Sequence, residues 1–201
     1  MSYFPMFIDL NGKHCVIVGG GAVALRKAKA LLSFGAKVFV VAPVILEELN
    51  HRNVTFRTRE FLEDDINDAF LVIAATNDED LNQQIVRLCK ERSVFVNSAT
   101  TKENGTFLFP GLVKKKDITI GVSTAGKSPA VTKRICEDIT KQIPDSYAEI
   151  LDQLEEARNE VKLRVKEQKR RKEILHKLIG IAMEGEPLTM ERIDGVIKEY
   201  E

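Results

Sequence analysis

The chain predicts an α/β protein with a doubly wound parallel sheet, and three observations carry that expectation. Short apolar runs rich in β-branched residues recur without polar alternation, at Cys15–Val18, Lys37–Val41, Phe70–Ala75 and Val94–Val96. Such runs suit strands buried on both faces. Helical spacings separate them, with Ala24, Ala28 and Leu31 on one face of Val23–Leu32, and Leu81, Ile85 and Leu88 in phase within Asp78–Glu91. Strands alternating with helices indicate a parallel sheet. Finally, the first run passes directly into Gly19-Gly20-Gly21-Ala22-Val23-Ala24. Gly19 and Gly21 take the first two positions of a G-x-G-x-x-G/A fingerprint and Ala24 the third, the mark of a Rossmann-type dinucleotide unit.

Each position of that fingerprint has a physical task. The first glycine permits the tight turn, the second lets a pyrophosphate approach the backbone, and the small third residue lets helix and strand pack closely. The helix start then presents free N–H groups and a positive dipole end to the phosphates. Gly19, Gly20 and Gly21 are therefore the first candidate cofactor residues.

Composition narrows the function classes. The 201 residues carry 30 Lys and Arg against 30 Asp and Glu, so no global field draws the protein to nucleic acid or to a membrane. No stretch approaches the roughly twenty apolar residues that span a bilayer, and no cationic segment followed by an apolar run opens the chain. A cytoplasmic, soluble protein is the expectation. Cys15, Cys89 and Cys136 show no C-x-x-C spacing and read as reduced, largely buried thiols. His14, His51 and His176 are isolated and form no metal-ligand set.

Taken in order, Met1–Asn11 is an extended lead-in closed by an Asn11-Gly12 turn. Gly35 ends the first helix, and Ala42-Pro43 stops the second strand. An acidic residue usually stands there, about twenty residues past the glycines, to hold the ribose hydroxyls. This chain has Ala42, Pro43 and Val44 instead, which leaves the ribose to backbone groups or to Glu47 or Glu48. Val54–Arg59 reads as a more exposed third strand, and Glu60–Asp68 as an acidic connection with a helical turn. The fourth strand ends at Thr76-Asn77-Asp78, with Asn77 or Asp78 capping the next helix. A polar loop, Asn97–Thr106, follows the fifth strand. Ligands bind beyond the carboxyl ends of such sheets, so the loops starting at Gly19, Ala42, Thr76 and Asn97 should share one rim.

Beyond the sheet, Phe107–Pro110 leads away, Lys114–Lys116 makes a basic turn, and Ile118–Ser123 alternates as a strand. In Thr124–Pro129, Ser128 suits an N-cap and Pro129 the first helical position. Ser128 either only caps this helix or, with Lys127, Lys133 and Arg134, helps to hold an anion. From Ser146, after a boundary at Pro144, the pattern is wholly helical, with Ile150, Leu154, Ala157 and Val161 on one face. Residues 162–172 carry seven Lys and Arg against the single Glu167, either a solvated face or a site for a polyanion. Ile174–Met183 is amphipathic, Gly185-Glu186-Pro187 breaks it, and Met190–Tyr200 is the last helix.

With these residues in view the chain resembles the siroheme-synthase family, most closely its dehydrogenase part. Val16–Lys27, Ile73–Asp78, Val96-Asn97 and Ser123–Pro129 occur in the family's order and spacing. The resemblance implies three parts: an NAD-binding domain over 1–112, a small α+β dimerisation segment over 113–145 and a helical domain over 146–201, assembled as a homodimer. It also implies NAD-dependent oxidation of precorrin-2 to sirohydrochlorin. Cofactor contacts then fall on Ala22 and Val23, on Pro43 and Val44, and near Thr76, without an acid after strand two. The substrate is a tetrapyrrole rimmed with carboxylates, for which Asn97, Lys127, Ser128, Lys133 and Arg134 are candidate contacts, with Lys114–Lys116 nearby in kind.

Family members that also insert iron carry an aspartate where this chain has Thr100, and threonine neither accepts a pyrrole proton nor holds a metal strongly. The expectation is a dehydrogenase without ferrochelatase activity, a separate chelatase acting downstream. Glu103 (beside Asn104), Ser123 and Ser128 are candidates for the proton lost with the hydride. Two alternatives stand beside this reading. One is a bifunctional enzyme in which Glu103 replaces the missing carboxylate. The other is a non-catalytic dinucleotide-sensing module, which normally keeps the acid after strand two and has no need of the basic Ser128 loop.

Overall fold

The computed structural model describes residues 3–50, 53–99 and 105–200. The chain forms two compact units, one of Met1–Pro110 with Ser123–Pro129 and one of Gly111–Val122 with Ala130–Glu201.

The first unit holds the sheet, made of β1 (His14–Val18), β2 (Lys37–Val41), β3 (Val54–Arg57), β4 (Leu71–Ala74) and β5 (Phe95–Ser98), in the order β3-β2-β1-β4-β5. Every pairing is parallel. Side chains alternate across the pleat, so Cys15 and Ile17 of β1 enter one core layer and Val16 and Val18 the other. Helix α1 (Ala22–Leu32) covers the first layer through Ala24, Ala28 and Leu31. Helix α2 (Glu79–Glu91) covers the second through Ile85, Val86 and Cys89. Leu31, 2% exposed, alone contributes about 1.5–3 kcal/mol of burial. Cover on both faces is why the strands read as unbroken apolar runs.

Burial fixes the behaviour of two thiols. It pushes Cys15 up to about 11 and Cys89 up to about 12, so both stay protonated and inert at neutral pH. The acidic connection contains a 3-10 turn, Glu63–Ile66, anchored by a two-pronged Arg59–Asp65 pair at 2.6 and 2.8 Å. The Arg59 guanidinium holds the Asp65 carboxyl below its ordinary range.

The register places the carboxyl ends of the strands level. Val18 pairs with Val41 and with Ala74, Ala74 with Ser98, and Val41 with Arg57. The strand order reverses between β1 and β4, which is where such sheets bind ligands. The structure corrects the sequence reading at β5, where Asn97 and Ser98 belong to the strand rather than to the following loop. Thr106 explains this: its N–H donates to the Val96 carbonyl at 2.8 Å, and its hydroxyl accepts the Val96 N–H at 2.8 Å. The returning chain thus satisfies an otherwise open edge.

In the second unit β6 (Gly111–Lys115) and β7 (Ile118–Val122) form an antiparallel hairpin. Its turn forces Lys116 to a φ of 46°. The sequence reading placed only a basic turn at Lys114–Lys116; Lys114 and Lys115 instead lie in β6. Lys115 Nζ donates to the Ile143 carbonyl (2.6 Å) and to Asp145 (2.8 Å). Helices α3 (Pro129–Gln142), α4 (Ser146–Arg164), α5 (Gln168–Met183) and α6 (Met190–Lys198) follow. A core of Ala157, Val161, Ile174, Leu178, Ile193 and Val196 joins the last three. The helical stretch expected to run on from Ser146 breaks at 165–167, where Val165 takes extended backbone at the end of α4. Val165 packs on the core of this unit. Among the described residues no helix is long and apolar enough to cross a membrane.

Candidate functional site

The site begins at the end of β1. Gly19 has a φ of +123°, a region side chains rarely adopt, and a Cβ there would lie 2.3 Å from the Ala75 carbonyl oxygen. Gly20 is closed on the other side, since its Cβ would meet the Val44 carbonyl at 2.1 Å. Gly21 differs from both: nothing lies within 4 Å of its Cβ position. Two glycines therefore exist so that the neighbouring loops can close on the turn, and the third leaves space. Gly21 is the N-cap of α1 and supplies no side-chain cap, so among the described residues the first amides of the helix have no capping side chain. Ala22 and Val23 are exposed at this end, and Ala24 is fully buried.

The loops after β2 and β4 bracket the turn. Gly19 N–H donates to the Val41 carbonyl, and Leu46 N–H to the Gly20 carbonyl at 3.0 Å, which lays 43–46 against the glycines. Pro43 and Val44 project from that strip, Val44 being 80% exposed. No carboxylate stands at the end of β2; Glu47 and Glu48 lie farther on, exposed, in a 3-10 turn.

On the β4 side Thr76 is held by Asn82, a residue the sequence reading passed over. Asn82 is 0% exposed. Its Oδ1 accepts the Thr76 N–H (3.1 Å) and hydroxyl (2.9 Å), and its Nδ2 donates to the Thr76 carbonyl (3.0 Å). The signal was present: an asparagine on the α2 face that also carries Ile85 and Cys89 must be buried, and a buried amide needs partners. Asp78 caps α2 by accepting the Leu81 N–H at 3.0 Å.

Asn97 is 8% exposed and donates from Nδ2 to the Phe107 carbonyl at 3.2 Å. Its amide is thus used in fixing the return segment. Lys27, one helical turn beyond the site, places Nζ 3.6 Å from the centroid of the Phe109 ring. Burial, with Arg26 adding to it, lowers this lysine to about 7, while the ring face favours the charged form.

The loop Ser123–Pro129 lies in the same unit as the sheet. Ala125 and Gly126 take φ values of 49° and 72°, and Ser123 Oγ accepts the Ala125 N–H at 3.1 Å. Thr124 Oγ1 accepts the Ser128 N–H and donates to its carbonyl. Pro129 opens α3 as expected, with Ser128 directly before it. Lys127 is exposed. Lys133 and Arg134 lie in the other unit, one turn along α3, where each pairs with an acid of its own helix: Lys133 with Glu137 (3.8 Å) and Arg134 with Asp138 (3.0 Å). Such exposed pairs are worth under about 1 kcal/mol and exchange readily for another anion. Thr100, Glu103 and Asn104 lie outside the described residues.

This geometry fits a dinucleotide. A diphosphate would need open space over the turn and free helix amides, and the space over Gly21 and the start of α1 supply both. A family model described as "Putative NAD(P)-binding" matches residues 6–111. The siroheme synthase of Tolumonas auensis is 35% identical over 164 residues, 81% of this chain and 35% of its own length. That of Thioalkalivibrio sulfidiphilus is 35% identical over 183 residues, 89% of this chain and 37% of its own. The chain thus spans about a third of the curated relatives it matches. A solved structure, SirC, precorrin-2 dehydrogenase, superposes with a TM-score of 0.74 at 27% identity, covering 98% of each chain. The chain belongs to this NAD(P)-binding family, and its motifs resemble those of the siroheme synthases.

Proposed function

We propose that this protein is an NAD-dependent precorrin-2 dehydrogenase, an oxidoreductase that forms sirohydrochlorin. The observation that carries the reading is the open position at Gly21 between two closed glycines, set at the sheet's switch point. The similarity to SirC along nearly the whole of both chains supplies the substrate. The reaction removes two electrons and two protons. The nicotinamide ring takes one hydrogen with both electrons as hydride, and the other leaves as a proton to a base or to solvent.

The chain's own part is to hold and orient. Amides of Ala22 and Val23 receive the diphosphate, Pro43 and Val44 support the adenosine ribose, and Thr76, fixed by Asn82, forms the opposite wall. Asn97, Lys127 and Ser128 of the first unit, and separately Lys133 and Arg134 of the second, are the groups we assign to carboxylates of the substrate. Glu103, Asn104, Ser123 and Ser128 are the proton-handling group, with Ser123 and Ser128 also shaping their loop. With Thr100 in place of an aspartate, iron insertion falls to a separate chelatase.

A homodimer completes the proposal. No residue of α3 is buried within this chain, and Val131 and Ile135 are 50% and 37% exposed. A second copy covering α3 and the β6–β7 hairpin would remove that apolar surface from water. The test is anaerobic incubation with precorrin-2 and NAD, following NADH and product absorbance. Formation of one NADH per sirohydrochlorin supports the reading. Absence of turnover with both NAD and NADP refutes it.

A further inference from the structure

The α4–α5 corner carries a dense run of cations, and the site above does not use it. Residues 162–172 hold seven of the thirty cations and one of the thirty acids, so the rest of the chain is net acidic. Two of the seven have acidic partners, Arg164 with Asp194 and Arg170 with Glu167 at 3.0 Å. Lys162, Lys166, Lys169 and Lys172 are exposed and have no carboxylate within ion-pair distance among the described residues. Arg171 donates from Nη2 to the Lys166 carbonyl at 2.9 Å, and its Nε is buried without a partner. Leu163, 80% exposed, lies between Lys162 and Arg164 in the sequence.

The placement works against local stability. Helix α5 has Glu167 at its N-cap, paired with Arg170, but no acidic residue within its first turn, which opens on Gln168, Lys169, Arg170 and Arg171. Cations at a helix N-terminus oppose the macrodipole. Positive charge from side chains and from the helix end therefore adds at one place. The unpaired lysines at the start of α5 break this local rule with no ion pair in return among the described residues, which makes the corner a candidate functional surface.

We infer that this corner is a docking site for a small polycarboxylate of the tetrapyrrole class, which the cations draw in by its carboxylate rim while Leu163 meets its apolar face. The inference rests on the proposed substrate chemistry and extends it to a second surface. The alternatives fit less well. A membrane would need a free apolar helix face, yet Ile174, Leu178 and Ala182 of α5 are buried in the core. Single-stranded nucleic acid would need aromatic rings for stacking, and 162–172 contains none. A protein partner would need a central apolar anchor cluster, and only Leu163 is offered.

The experiment is equilibrium binding of uroporphyrin, a stable porphyrin bearing carboxylates on every pyrrole, to the full chain at low and at moderate salt. The variant combines Lys166→Glu, Lys169→Glu and Lys172→Glu. Acids at the α5 start are favoured by the helix end, so this variant should unfold no earlier than wild type. Loss of roughly tenfold or more in affinity, with a shallower salt dependence, supports the inference. Lys90→Glu, an exposed change on α2, should leave the affinity within about twofold. Equal affinity of the triple variant and wild type overturns it, as does tighter binding of a DNA duplex or of phosphatidylserine vesicles than of the porphyrin. The two readings fail separately. Dehydrogenation without docking at the corner refutes only this inference, and docking without dehydrogenation refutes only the proposed reaction.

Discussion

Replacing Gly20 and Gly21 by alanine, one at a time, separates the two tasks of the glycine turn. At Gly20 the new methyl would lie 2.1 Å from the Val44 carbonyl oxygen and 2.8 Å from Ile45 Cα. Carbon and oxygen settle at about 3.3 Å or more, so the 44–46 strip must retreat by over an ångström. That movement breaks the Leu46 N–H bond to the Gly20 carbonyl. Overpacking and one lost hydrogen bond together cost about 2–4 kcal/mol. Gly21→Ala meets no atom within 4 Å, and its φ of −89° suits alanine. Its stability should stay within about 1 kcal/mol of wild type, the remainder reflecting alanine's poor N-capping. Its NAD affinity should nonetheless fall roughly tenfold, because the methyl occupies the diphosphate's approach. Urea unfolding and calorimetric NAD titration measure the two effects. A Gly21→Ala protein that binds NAD as wild type does, or a Gly20→Ala protein of wild-type stability, would refute the reasoning.

Further outcomes follow from other contacts. Asn82→Leu strips three hydrogen bonds from Thr76 and should cost about 2–3 kcal/mol in urea unfolding while weakening NAD binding. Lys27 titrates near 7 in the folded protein against 10.5 as its ordinary value. The unfolded chain therefore binds its proton first as pH falls. The native state is favoured above about 10.5, and that advantage is lost between 10.5 and 7. Relative to Lys27→Met, wild-type stability should rise with pH in that window by at most about 1.4 kcal/mol per unit; parallel profiles would exclude a buried Lys27. Mass spectrometry after brief native alkylation at pH 8 should find Cys15 and Cys89 intact; modification of either would contradict their burial in the sheet core. Ferrous ion added to freshly made sirohydrochlorin should give sirohaem no faster with enzyme than without; acceleration would overturn the argument from Thr100.

The parallel sheet was legible because burial on both faces writes itself into unbroken runs such as Val16-Ile17-Val18. The glycine turn was legible because a buried β-branched strand runs into it and a helix with Ala24, Ala28 and Leu31 on one face follows. What the sequence hid were features that depend on partners distant along the chain. Asn97 reads as a loop residue until Thr106 returns to pair with Val96. Asn82 reads as one polar residue in a helix until Thr76 needs three hydrogen bonds. β6 has a weak pattern because Gly111 and two lysines flank a short apolar core. The break at Val165 is set by the packing of α4 on α5 and carries no glycine or proline to announce it. Among the candidate site residues, the Pro43-Val44 strip lies against the glycine turn, since Leu46 N–H bonds the Gly20 carbonyl. Lys133 and Arg134 already hold acids on α3, a pairing that i,i+4 spacing could have revealed.

The most direct test of the account is a crystal structure with NAD bound. The diphosphate should lie over Gly21, with the amides of Ala22 and Val23 as its donors and the adenosine half against Pro43 and Val44. A dinucleotide bound elsewhere, with the space over Gly21 left to solvent, would contradict it.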